Sequence, residues 1–201
     1  MPVDVLRAIV EQVHAVGGRV AVHSQHQAGG TAAVEARVDS LEHGMWLDPG
    51  LLSTMAAQGT ALTPTLSAIT YGLAASRERP DSPRKRWYVD GASAHPALTA
   101  AAAEAGVTLL AGTDSRPLGR LADEVRALAA AGVPAHHALA AASWSARAYL
   151  GLPSLVAGAP ADAVVYAEDP RTDLAQLDHP KAVILRGRRT ASRSAATRAL
   201  G

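Results

Sequence analysis

Apolar residues recur along the chain in two rhythms. Val5, Leu6, Ile9, Val10 and Val13 fall three and four apart, the spacing that lines one helix face, and Asp4 can cap that helix. Gly17-Gly18 ends the pattern. Val20-Ala21-Val22 then runs on without a polar break, as a strand covered on both faces does, and leads into His23. The exchange repeats downstream. Gly29 to Arg37 is alanine-rich and helix-forming, and Asp39-Ser40-Leu41-Glu42 is a short strand running into His43-Gly44. Asp48-Pro49 opens a helix to about Gln58, with aspartate at the cap and proline at the first position. Gly59 closes it, and Thr60-Ala61-Leu62-Thr63 is a third strand, stopped by Pro64.

From Ser67 to Pro83 the pattern breaks down around Gly72 and the charged run Arg77-Glu78-Arg79. This predicts a loop with partial helix, long enough to reach over a site. A helix from about Pro96 to Ala105 follows, then a fourth strand, Val107 to Ala111, behind the turn glycine Gly106. Helices are expected over 121–131 and 134–150. Strands that alternate with helices are parallel strands joined by crossovers, which makes the fold class α/β. After Gly151 the texture changes. Asp162 to Tyr166 and Ala182 to Leu185 are short β segments between turn residues, with Gly187 ending the second. The expected division is an α/β unit over 1–150 and a small β appendage with a polar, frayed tail over 151–201.

Composition narrows the chemistry. A hydrophobic share of 48% supports a core, and no apolar run is long enough to cross a membrane. The formal charge of +1 gives no case for nucleic acid or a charged membrane surface as partner. No secretory signal pattern opens the chain at Met1, so a cytoplasmic location is the default expectation. Cysteine is absent, so any metal must be held by histidine and carboxylate. Three such residues stand at strand ends: His23, His43, and Asp114 of Gly112-Thr113-Asp114-Ser115. In α/β barrels the C-terminal strand ends carry the chemistry, and two imidazoles with a carboxylate suit one divalent ion. His26, His95, His136, His137 and His179 are read as hydrogen-bonded packing residues. Tyr71, Trp87 and Tyr88 either line a substrate pocket or pack on the barrel.

These residues resemble a known family. Val-Ala-Val-His at 20–23, Val-Asp-Ser-Leu-Glu-His-Gly at 38–44, Thr-Pro-Thr-Leu at 63–66 and Ala-Gly-Thr-Asp-Ser at 111–115 stand in its order. Gly158-Ala159-Pro160-Ala161-Asp162 resembles the turn into its terminal β-sandwich. The chain looks like the metal-dependent amidohydrolase superfamily, among its imidazolonepropionase and prolidase-like members, from Asp4 to about Arg189. The resemblance implies that His23 and His43 end the fifth and sixth strands of a TIM-like (β/α)8 barrel as metal ligands. It implies that Asp114 ends the eighth, binds metal and accepts the proton of the attacking water. The implied cofactor is Zn2+ or another divalent metal, and the implied substrate a small-molecule amide or lactam.

The sequence departs from the family at the front. The family's His-x-His pair is absent, and the only lysines, Lys85 and Lys181, lie too late for its bridging fourth-strand lysine. The second histidine of the family's first downstream motif is Gln25 here, and a usual glycine near position 37 is Arg37. The expected architecture is therefore the C-terminal half of the barrel, about four βα units, plus the β appendage. The expected function is hydrolysis of C–N bonds by metal-activated water. The alternative is a non-catalytic remnant or partner subunit with a half-barrel fold. Exposed strand edges predict a homo-oligomer or docking with a missing N-terminal half.

Overall fold

The computed structural model describes residues 1–114 and 119–190. Ser115 and the tail expected to fray, 192–201, lie outside the described residues. The chain forms two compact units, Met1–Ala146 and the remainder from Arg147. The candidate chemistry is all in the first.

Helix α1 (Val3–Ala15) begins after Pro2 rather than at Asp4. Asp4 falls in the first turn, where its charge suits the helix dipole, and the helix buries Leu6 and Val10. Then come β1 (Ala21–Ser24), α2 (Gln27–Glu35), β2 (Ser40–His43), a 3-10 turn at Pro49–Leu51, α3 (Leu52–Gln58) and β3 (Ala61–Thr63). Asp48 caps the 3-10 turn by accepting from Gly50 N at 2.9 Å. Arg37, where the family's glycine would stand, adopts φ +60°, a conformation glycine takes without strain.

The strands form a parallel sheet in the order β1-β2-β3, as the alternation predicts. His23 pairs with Glu42, Ser24 with His43, and Leu41 with Leu62. Leu41 and Leu62 are fully buried. The expected fourth strand is reduced to one parallel bridge, Leu62 with Leu109, framed by Leu62 N–H to Thr108 O and Leu110 N–H to Leu62 O, both 2.9 Å. Ala111 N–H then turns to Ala141 O on a helix, so the segment has only one strand neighbour among the described residues. The sheet stays open and does not close into a barrel. Covering is uneven for the same reason. β3 is buried along its length, whereas Ala21 and His23 of the edge strand β1 are exposed, against the expectation of a strand covered on both faces.

Two helices correct the sequence reading. The segment expected as a loop with partial helix is helical over most of its length as α4 (Leu66–Arg77), and α5 (Pro83–Glu104) begins well before Pro96 and runs through it. Ser82 accepts from Lys85 N at 3.1 Å and Pro83 takes the first position, a strong start that the internal proline does not undo. Between these helices Met45, Ile69 and Ala92 make a buried cluster, with Trp46, Trp87 and Tyr88 packed on it. Then follow α6 (Leu121–Ala130), α7 (Ala135–Ala141) and α8 (Trp144–Tyr149). The last two replace the single helix expected over 134–150.

The second unit carries an antiparallel sheet of β4 (Ala163–Val165), β5 (Ala182–Leu185) and β6 (Arg188–Arg189). Val164 pairs with Val183, and Asp162 accepts from Arg186 N at 2.8 Å to hold the turn.

Candidate functional site

The open ends of the three parallel strands bring the predicted residues together. His43 ends β2 with φ +68°, and Gly44 follows at φ +65°. Pairing puts His43 opposite Ser24, one position past His23, so regular strand alternation would send the two rings to opposite faces. The left-handed backbone at His43 breaks that alternation. The rings meet edge to face with centroids 4.5 Å apart, and His43 Nε2 lies 2.7 Å from His23 Nδ1. Asp114, also left-handed at φ +41°, puts Oδ2 3.9 Å from the same His43 Nε2. Gly112 permits that approach, because a Cβ there would stand 2.6 Å from Thr63 Cγ2. His43 is buried, while the Asp114 side chain is 68% exposed, so the group opens to solvent on one side.

Three further residues are buried beneath this group: Thr65, from the Thr-Pro-Thr-Leu motif, His95, and Glu124, which no sequence motif marks. Thr65 follows β3 at φ +52° and is buried; its Oγ1 lies 2.6 Å from His43 Nδ1. The Thr65 hydroxyl donates its single hydrogen to Pro64 O at 2.8 Å. With its hydrogen placed there it accepts from His43, an assignment that puts the His43 hydrogen on Nδ1 and leaves Nε2 bare in the neutral ring. His95 is fully buried, a packing residue as the sequence predicts, and donates from Nε2 to Pro64 O at 2.9 Å, while its Nδ1 has no partner among the described residues. Glu124 is fully buried in α6. It accepts from Leu66 N–H and Ser67 N–H at 2.8 Å each, and from Ser67 Oγ at 2.6 Å.

Burial sets the charge states here. It lowers the His43 pKa, with His23 adding to the effect and Asp114 and Glu42 opposing it. Burial lowers the His95 pKa as well, against the Pro64 carbonyl and together with His43. Both rings are thus held neutral, the form that can ligate a metal. Glu124 moves the other way: burial raises its pKa and outweighs the three donors that favour the carboxylate.

The set suits a metal in kind. A bare His43 Nε2 backed by a hydrogen bond at Nδ1 is the arrangement that orients histidine ligands. It falls short in number and spacing. Two nitrogens on one zinc ion would stand about 3.3 Å apart, so the 2.7 Å contact is a hydrogen bond between the rings. Among the described residues no three His, Cys, Asp or Glu side chains are arranged to hold an ion.

Beside the strand ends, a cleft of about 420 Å³ is lined by Gln25, Tyr71, Arg79, Arg84, Trp87 and Tyr88. Trp87 also stacks on His26 with centroids 4.4 Å apart, and Trp87 and Tyr88 pack on the buried cluster, whereas Tyr71 is exposed.

Residues 1–190 match the sequence profile of the Amidohydrolase family. A Mycobacterium tuberculosis protein of uncharacterized function is 41% identical over 193 residues, covering 92% of this chain and 51% of the relative. Ochratoxinase of Aspergillus niger is 32% identical over 186 residues, covering 89% of this chain and 38% of the enzyme. The crystal structure of a Xaa-Pro dipeptidase with bound methionine superposes with a TM-score of 0.85 at 26% identity, over 94% of this chain and 49% of that one. The chain spans about half the length, or less, of the relatives it matches. The chain belongs to the amidohydrolase family.

Proposed function

We propose that this chain carries the downstream half of a metal-dependent active site that hydrolyses amide or cyclic amide C–N bonds. The convergence of His23 Nδ1 and Asp114 Oδ2 on His43 Nε2 is the observation that carries the reading. His23, His43 and Asp114 would hold Zn2+ or a similar divalent ion. Such an ion, when bound, acidifies a water and polarises the amide carbonyl. Thr65 keeps His43 in the ligating tautomer. Asp114, exposed at the mouth, takes the proton of the attacking water and returns it to the leaving nitrogen, general acid–base work worth roughly 10²–10⁴ in rate. The cleft edged by Trp87, Tyr88 and two arginines supplies a wall for a small-molecule amide or lactam. The open sheet fits half of a (β/α)8 barrel, to be completed by a second polypeptide segment or another copy.

The decisive experiment compares the chain alone with the chain joined, in cis or as a second polypeptide, to a segment bearing His-x-His and a strand-end lysine. Little or no turnover of amides and lactams is expected from the first with added Zn2+. Hydrolysis is expected from the second, abolished by Asp114→Asn. Robust turnover by the chain alone that depends on Asp114 would contradict the half-site reading. An inert complete assembly would favour a non-catalytic partner subunit.

A further inference from the structure

We propose that Glu124 is a positioning residue for this centre: its carboxylate caps α4, holds Thr65 in its left-handed turn, and thereby fixes which nitrogen of His43 is bare. The consequence for metal binding rests on the proposed function. The tautomer does not, and it can be read without metal.

The start of α4 lacks its usual cap. Thr65 occupies the N-cap position of α4, where a threonine hydroxyl ordinarily accepts from an N–H of the first turn. Here Thr65 makes no such bond, and its backbone is left-handed rather than extended. A β-branched residue avoids that conformation and keeps it only when its surroundings over-determine it. Glu124 is what over-determines it. From 58 residues down the chain, one carboxylate oxygen takes Leu66 N–H, and the other takes Ser67 N–H and Ser67 Oγ. These are the two residues directly after Thr65. With the first turn of α4 satisfied by Glu124, the Thr65 hydroxyl is released from capping. It donates to Pro64 O and accepts from His43 Nδ1–H.

Removing the carboxylate reverses the exchange. Leu66 and Ser67 lose their acceptor, and Thr65 relaxes toward an extended N-cap, swinging Oγ1 to the helix N–H groups. His43 Nδ1 is then left without its partner, and the neutral ring populates both tautomers. Molecules with the hydrogen on Nε2 present no lone pair toward His23 and Asp114. A carboxylate that served stability alone would leave the His43 tautomer unchanged.

The test is nitrogen NMR of the imidazole rings in the metal-free 201-residue chain at a pH where His43 is neutral. The His43 signals are identified by their loss in His43→Asn. The native chain and Thr65→Ser are expected to show a single Nδ1–H form. Glu124→Gln, which keeps an acceptor oxygen for only one of the two N–H groups, and Thr65→Val are expected to show a mixture. Zn2+ affinity in Glu124→Gln should fall about 10–100-fold, the usual loss when a ligand's outer partner is removed. If Glu124→Gln does not fold, Ser67→Ala removes one donor only and carries the same test, with a smaller Nε2–H population expected. A pure Nδ1–H His43 in a folded Glu124→Gln, or in Ser67→Ala should that be needed, overturns the proposal. Failure of the native chain to take up Zn2+ counts against the metal reading, while the tautomer result still decides the role of Glu124.

Discussion

His43 Nδ1 and Thr65 Oγ1 meet at 2.6 Å beneath the open strand ends, each on a backbone in the left-handed region. Two strained residues joined by one buried hydrogen bond hold the centre in place. Thr65→Val keeps the shape but removes the acceptor, leaving a buried imidazole N–H without a partner. The expected cost is about 1–3 kcal/mol in urea unfolding, with Thr65→Ser near native. Equal stability of the Val and Ser variants would show that the bond is not made in solution.

Gly44 extends the same turn. A Cβ at this φ of +65° would stand 2.9 Å from Leu62 Cδ1, in the core of the sheet. Left-handed strain and overpacking then act together, so Gly44→Ala should destabilise the first unit by about 2–4 kcal/mol. A melting curve unchanged by the substitution would contradict the turn geometry.

Acid should weaken the fold through the buried histidines. His95 has its pKa lowered below 6.5 by burial, so between the folded and unfolded values the unfolded chain binds more protons. Its contribution is complete above about pH 6.5, the unfolded value, and is lost as pH falls below it. His95→Leu sacrifices the bond to Pro64 but should flatten the decline between pH 7 and pH 5 in thermal unfolding. A decline as steep as in the native chain would place the acid sensitivity elsewhere.

Much of this was legible in the chain itself, and the limit has a physical cause. Leu41 and Leu62 announce their strands because burial leaves a local apolar signature, and Val20 to Val22 is apolar although β1 stands at the open edge. His23, His43 and Asp114 announce the site because each follows such a run. Glu124 escaped because its role arises from bonds to residues 57–58 positions away; Thr65 stood in a motif and His95 was expected to pack with a hydrogen bond, but their partners, 22 and 31 positions off, were not legible. Helix α4 was hidden for a related reason, since its first turn is capped by Glu124 and not by a neighbour. The strand expected at Val107 to Ala111 has the right composition, but among the described residues only β3 gives it pairing.

The open sheet makes a prediction about association. β1 is an edge strand with Ala21 and His23 exposed, and an unpaired edge is a template for another chain. The purified chain should self-associate or bind a complementary polypeptide at micromolar concentration. A monodisperse monomer by light scattering over that range would count against completion of the sheet by a partner.

The central claim is that His23, His43 and Asp114 form part of a metal centre, and titration with Zn2+ tests it most directly. Elemental analysis and calorimetry on the native chain should find weak binding, at no more than about one ion per chain, because the three side chains do not by themselves make a complete ligand set. The His23→Ala, His43→Ala double variant should lose it. Metal content unchanged in that double variant would contradict the account.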